Sequence, residues 1–336
     1  MPDSPYYSST ALCPGGDSRR VRRGDLDKRS RSFRFQWAAG QKLSKTYSPD
    51  LVPAGFLRTW HAKDIDADVE LGERNAQRLR DEGKCDKPIG WIDHESIRYA
   101  TLPSSSWHLL LLKVFAKYII ILGAAALFID FLSIVFFGGR SLEGYITNAY
   151  IPVILYIGGP CALIWGAISL IERLFPSVIY KDPKGPLWEF NRRRGLVTVF
   201  RNPKKKRDAG QIAWQSPFSE FDGYVHSGPT HQGLPLYYGA MVHRYREEAL
   251  TLTAFQAASA NDEDHKALWN FWLQYMDSTA PLPDIPLFEP HRDKDPVTAE
   301  HDKRTGRDPR YWRDMDSATY KQKTDEMYKR CLKTFG

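Results

Sequence analysis

Residues 118–137 read YIIILGAAALFIDFLSIVFF, twenty residues with one charge, Asp130. A second block, 149–171, reads AYIPVILYIGGPCALIWGAISLI and meets no charge until Glu172. Neither block shows the polar face of a surface helix. At about 1.5 Å per residue, each makes a helix of roughly 30 Å, the thickness of a bilayer's hydrocarbon core. Aromatic residues mark the ends: Trp107 and Tyr118 before the first block, Tyr145 and Tyr150 between the two, Phe175 and Tyr180 after the second. Such rings favour the membrane–water boundary. The expectation is a two-helix transmembrane hairpin over 109–175.

The link 138–148 carries one Arg and one Glu, whereas Lys113 and Lys117 precede the first span and Arg173, Lys181, Lys184 and Arg192 to Arg194 follow the second. Basic flanks stay on the cytoplasmic side, so both termini are expected there. Lys113 and Lys117 lie four apart on one helix face and are expected to reach the inner headgroups. Aligning the spans by depth sets Gly123 and Ala126 level with Ala162 and Gly166. Gly158, Ala162 and Gly166 form a stripe of small residues that lets helices approach closely in lipid, either within the hairpin or between two copies.

Asp130 is the anomaly. A charge at mid-bilayer costs roughly 2.5–3.5 kcal/mol on insertion scales, so it needs a partner or a proton. It falls level with Tyr156 to Gly159, where Pro160 has no N–H to give the Tyr156 carbonyl. Protonated Asp130 would satisfy that carbonyl, an intramembrane lock of Asp130, Tyr156 and Pro160. A proton or ion pathway is the competing role.

The rest of the 336 residues read as soluble protein, with 26% charged residues, a net charge of +7 and 10 Trp. That aromatic content excludes disorder throughout. Cys13, Cys85, Cys161 and Cys331 have no close spacing, so neither a disulfide framework nor a metal site is expected, and no cofactor is implied. Residues 1–34 hold eight Lys or Arg, four acids and no apolar run, which predicts a basic disordered tail without a signal peptide. Residues 35–108 form an N-terminal cytoplasmic region. In it Ile65 to Glu82 reads as a charged helix stopped by Gly83, Ile89 to Ala100 supplies a strand, and Pro103 opens a linker.

After the second span the apolar period becomes two. Leu187 to Phe190 and Leu196 to Phe200 flank Asn191-Arg192-Arg193-Arg194-Gly195, a strand, a turn and a strand. Gln211 to Trp214, Phe221 to His226, Leu236 to Tyr245 and Ala249 to Phe255 continue the series. Asp262 to Met276 reads as an amphipathic helix with Leu268, Phe271, Trp272, Tyr275 and Met276 on one side. Hairpins followed by a helix make 176–279 a cytoplasmic α+β domain, and the order suits a pleckstrin-homology-like barrel. From 280 to 336 the chain reads as a Pro-rich charged arm ending in a helix over Ser317 to Phe335.

Ten Lys or Arg and two acids crowd residues 174–207. So close to a span, Arg192, Arg193, Arg194, Lys204, Lys205, Lys206 and Arg207 are assigned to anionic headgroups, at about 1 kcal/mol per basic residue near the surface. Nucleic acid is not an expected partner. His226 and His231 have a spacing that can bind metal, but no Cys or carboxylate cluster accompanies them. His291-Arg292-Asp293 has the order of a kinase catalytic triplet, without a glycine-rich loop or Asp-Phe-Gly. No phosphate loop, nucleophile elbow or zinc helix is present, and the chain gives an enzyme no support.

The paired spans, Phe190-Asn191-Arg192-Arg193-Arg194-Gly195-Leu196-Val197-Thr198-Val199 and Trp269-Asn270-Phe271-Trp272-Leu273-Gln274-Tyr275-Met276 resemble a group of uncharacterised bacterial two-span proteins often encoded beside type VI secretion components. The likeness covers residues 110–280. It implies an inner-membrane protein that binds a protein partner, an effector or a secretion component, in an accessory or immunity role. It carries over no catalytic residue. A secreted effector whose hairpin inserts into a target membrane, or an enzyme with an unrecognised site, is the alternative.

Overall fold

The computed structural model describes residues 6–13, 40–58, 65–82, 91–100, 103–137, 144, 146–181, 185–201, 210–253 and 255–336. They form two units, an apolar one within 101–184 and a body made of residues up to 100 together with 185–336.

The apolar unit is two helices, Ser104–Phe137 and a second over 146–174. The first has an inner stripe of half-buried or buried residues at 113, 116, 120, 123, 127, 130 and 134. That alternation of three and four is the seam by which helices cross at a shallow angle. The register is antiparallel: Lys113 pairs with Glu172, and the Tyr150 hydroxyl donates to the Leu127 carbonyl at 2.9 Å. Ala116 and Ile168 are buried at the contact. Lys113 is thus held by a carboxylate of the facing helix instead of reaching outward on its own.

Of the two arrangements expected for the small-residue stripe, close approach of the two helices through Gly158, Ala162 and Gly166 is not seen. A Cβ added to Gly123 or Gly166 would meet nothing within 4 Å, and at Gly158 only the Val153 carbonyl, at 3.9 Å. Ala126 and Ala162 are exposed. On the first helix the seam includes Ala116 and Gly123 among larger side chains such as Leu127 and Ile134. Asp130 lies on the seam, and Tyr156 is 80% exposed. The second helix is also not a continuous α-helix. Ile146–Tyr150 and Ile154–Gly158 are π turns, and the Gly159 N–H donates to the Ile154 carbonyl, five residues back. The second π turn ends just before Pro160, where the ring interrupts the ladder.

The body is α+β, with two antiparallel four-stranded sheets. One has the order β2 (Ser96–Tyr99), β3 (Trp188–Asn191), β4 (Leu196–Phe200), β5 (Ile212–Pro217). The other has the order β1 (Gln41–Lys42), β6 (Phe221–Pro229), β7 (Pro235–His243), β8 (Ala249–Thr251). The alternation read around Gly195 holds, since Trp188 pairs with Val199 and Asn191 with Leu196. Residues 35–108 are not a separate region. They add an edge strand to each sheet, and Tyr99 pairs with Trp188, so the apolar unit is inserted between two adjacent strands.

The helix Glu263–Met276 is buried nearly all round, including Asn270 and Gln274. Its apolar residues pack on both sheets, with the Trp272 ring stacked on Phe190 at 3.9 Å. Gly223 in β6 gives the room Trp269 needs, because a Cβ there would lie 2.4 Å from the indole. The polar side that a surface helix would turn to water is covered by residues 44–51. The Asn270 amide donates to the Ser48 and Leu51 carbonyls and accepts from the Ser48 N–H, all at 2.8–2.9 Å. Gln274 accepts from the Asp50 N–H at 2.9 Å. Those bonds replace solvent for the buried amides, which would otherwise cost about 1–3 kcal/mol each.

Residues 280–336 are no free arm. Leu282, Ile285, Leu287 and Phe288 belong to the main core, and Trp312 packs with Ile65 and Tyr320. Buried Glu289 accepts from the Trp312 and Arg313 N–H groups and pairs with Arg307 and Arg313. The Ser317–Phe335 helix starts at Asp316, whose carboxylate caps the Ala318 and Thr319 N–H groups.

Candidate functional site

The basic turn between β3 and β4 sends three consecutive arginines to three environments. Asn191 Oδ1 accepts the Arg194 N–H at 2.8 Å, and Gly195 takes the left-handed conformation with φ of 65°. Arg192 turns inward and is fully buried, so it cannot meet headgroups as expected. Its guanidinium donates to the Tyr275 carbonyl at 2.5 Å and the Ala280 carbonyl at 2.7 Å, and it pairs with Asp295 at 3.3 Å. The Tyr275 carbonyl is one of those a helix leaves unpaired in its last turn, where a cation also meets the negative end of the helix dipole. Asp295 in turn caps the helix Pro296–Thr305, accepting from the Thr298 N–H at 3.1 Å and hydroxyl at 2.5 Å. One ion pair thus ties the C-terminus of one helix to the N-terminus of another. Burial opposes the Arg192 charge, but Asp295 and the surrounding acceptors outweigh it and raise its pKa above the ordinary arginine value.

Arg193 is half exposed. It donates to the Tyr6 carbonyl at 2.8 Å, pairs with Glu95 at 3.1 Å and lies over the Tyr6 ring at 4.8 Å. Arg194 is exposed, and its guanidinium makes no hydrogen bond or ion pair among the described residues. Lys204, Lys205, Lys206 and Arg207 lie outside the described residues.

The segment 6–13, expected to be part of a disordered tail, docks beside this turn. The Ser8 N–H donates to the Arg193 carbonyl at 3.0 Å, and the Thr10 hydroxyl to the Arg194 carbonyl at 2.6 Å. The Tyr7 hydroxyl donates to Asp295. Tyr6, Tyr7, Glu95, Asn191, Arg193 and Arg194 border a cleft of about 350 Å³. Burial and the neighbouring acids Glu95 and Asp295 push the Tyr6 phenol well above its usual range. Burial is also the main cause for Tyr7, which shifts the same way. Both stay neutral donors at any ordinary pH.

The other candidates are structural. His226 is buried in β6 and stacks on Tyr238 at 5.6 Å, whereas His231 is exposed in the following turn. In His291-Arg292-Asp293 the arginine is buried in a bidentate pair with Asp302, both contacts at 2.7 Å. His291 stacks on His94, with ring centres 6.2 Å apart. Sequence reading missed a polar group at Ser216, Glu220, His243 and Glu248. His243 Nδ1 accepts two backbone N–H groups, from Tyr245 and Arg246, each at 3.0 Å. Nε2 must then carry the proton and donate to Glu220 at 2.8 Å. A ring so committed is no general base, and Ser216 donates to Glu248, not to the imidazole. Among the described residues no group of three or more His, Cys, Asp or Glu could hold a metal ion.

No family model, curated protein or solved structure matches the chain.

Proposed function

We infer that the chain is a non-enzymatic membrane-anchored binding protein. The observation that carries this is the uncovered apolar surface. The most apolar stretches of the two long helices are 0% and 6% buried within the protein. Leu122, Phe128, Phe136, Leu155 and Leu163 are each more than 60% exposed. Soluble monomers rarely carry apolar patches beyond a few hundred Å², and a bilayer is the environment that matches helices of this length. Both termini lie in the cytoplasm of a bacterium in this reading, because the basic flanks lie at the outer ends of the hairpin. A periplasm-active phosphatase fused at Asn148 is expected to be active, and one fused at Gly336 inactive. Activity at Gly336 would reverse the orientation.

The body is the binding module. Its hairpins followed by a helix suit a pleckstrin-homology-like architecture, and its partner is a protein of an interbacterial secretion system, in an accessory or immunity role. Expression in a naive host is then harmless, whereas a membrane-inserting effector would be toxic.

Arg194 is the member of the arginine turn left for anionic headgroups. Because Tyr99 and Trp188 are paired neighbours, replacing 101–184 by a short turn joins the body without its helices. That variant is expected to be soluble without detergent and to bind anionic vesicles at low salt. Arg194→Gln is expected to weaken binding about fivefold, the effect of one basic residue near a charged surface. Equal binding by both would assign Arg194 to a protein contact instead.

A further inference from the structure

Residues 6–12 lie on the body as a bound peptide lies in a groove. The backbone contributes the Ser8 N–H to the Arg193 carbonyl and accepts the Ser278 N–H at the Leu12 carbonyl, both at 3.0 Å, while Leu12 bridges Asp277 in parallel. The Tyr6 ring sits between the Arg193 guanidinium at 4.8 Å and the His94 ring at 6.4 Å. Tyr7 covers Arg192, and Leu12 reaches the edge of the main core. Gly195 is shaped to this segment, since a Cβ there would lie 2.2 Å from the Thr10 carbonyl oxygen.

The floor of the groove is held without the segment. Arg192 keeps the Tyr275 and Ala280 carbonyls and Asp295, and Asp295 keeps Thr298. A surface so preorganised binds an extended segment at little conformational cost. The bonds from Ser8 and Thr10 to the Arg194 carbonyl are exposed, so lifting the segment gives up chiefly Leu12, the half-buried Tyr6 and Tyr7 rings and the Tyr7 bond to Asp295.

We propose that this groove takes the N-terminal segment of a second copy of the chain, the two copies exchanging residues 6–12. Every copy carries the same Tyr6, Tyr7, Thr10 and Leu12, so the contacts made within one chain and between two are identical and exchange sacrifices none of them. Residues 14–39 separate the segment from β1, and a chain of that length reaches at most about 90 Å. Effective concentration then sets the balance, and crowding of copies moves it to the exchanged form. The exchange does not depend on the apolar helices lying in lipid.

Cys13 supplies the test, because its Sγ lies 3.7 Å from the Ser278 hydroxyl. Two differently tagged full-length Ser278→Cys chains are co-expressed, purified in detergent and oxidised. The expected product is a disulfide-linked pair carrying both tags, its share rising with protein concentration and absent when Cys13→Ser is added. Tyr7→Phe, which keeps the ring but loses the bond to Asp295, is expected to lower linkage through Cys13 severalfold within and between chains alike, leaving the share carried by pairs and the circular dichroism unchanged. A link confined to single chains at every concentration overturns the proposal, and so does the absence of any link through Cys13.

Discussion

Arg192→Gln is expected to lower the unfolding free energy of the full chain by about 3–5 kcal/mol, the usual cost of removing one partner from a buried ion pair. Asp295 would stay buried with its charge, and the Tyr275 and Ala280 carbonyls would lose their donor. Gln is too short and offers one amide where the guanidinium offers a fork. Lys keeps the charge but not the fork, so Arg192→Lys is expected to fall between. Arg194→Gln, two residues along, is expected to change stability by less than about 0.5 kcal/mol, as exposed substitutions usually do. Denaturant unfolding in detergent, followed by tryptophan fluorescence, compares the midpoints. An Arg192 shift no larger than that of Arg194 would remove the buried pair from the account. Replacing Arg192 and Asp295 together by apolar residues is expected to recover part of the loss, because no charge is then stranded.

The arginine turn also shows how far the sequence could be read. The strand, turn and strand around Gly195 were legible because apolar period two and a left-handed glycine are local signals. The roles of the three arginines were not, since a charge cluster does not say which member turns inward. A signal was present: Trp188 and Phe190 face the core, and the same alternation carried on reaches Arg192. The central helix was legible as a helix but not as a buried one. Its Asn270 and Gln274 looked like a solvent face, and their partners lie in residues 48–51, far away in sequence. Of the two N-terminal strands, β2 falls inside the stretch Ile89 to Ala100 read as a strand, whereas β1 and the docked segment 6–13 were illegible for the same reason. A two-residue strand such as Gln41–Lys42 carries no periodicity, and tertiary contacts alone define it. The apolar hairpin needed nothing from afar, because length and composition decide it. Its small-residue stripe was ambiguous, because small residues mark close approach only where a partner faces them, and a Cβ added at Gly166 meets nothing within 4 Å.

Acid is expected to destabilise the body well before its carboxylates titrate. Burial, with Lys294 and His94 adding to it against the attraction of Asp93 and Asp293, pushes the His291 pKa from 6.5 down to about 4. Burial also lowers the pKa values of His94, His243 and His265. The unfolded chain binds protons at these rings below about pH 6.5 while the folded chain does not, so stability rises with pH across that window and falls as pH drops through it. For His291 the window runs from about 6.5 to about 4. At about 1.4 kcal/mol per pH unit it contributes a loss of roughly 3 kcal/mol by the bottom of the window. Below about pH 4 the lowered carboxylates Asp284 and Asp302, held down by Arg307 and Arg292 against the opposing effect of their burial, add to the loss. Denaturant midpoints between pH 7.5 and 4.5 are expected to fall steadily. His291→Gln is expected to flatten the slope in that range, because an amide takes no proton in either state. Its stability at pH 7.5 is a separate matter, set by how the amide fits against His94. An unchanged slope in the variant would mean that His291 is protonated in the folded protein, and that the ring stacked on His94 is not held neutral by its burial.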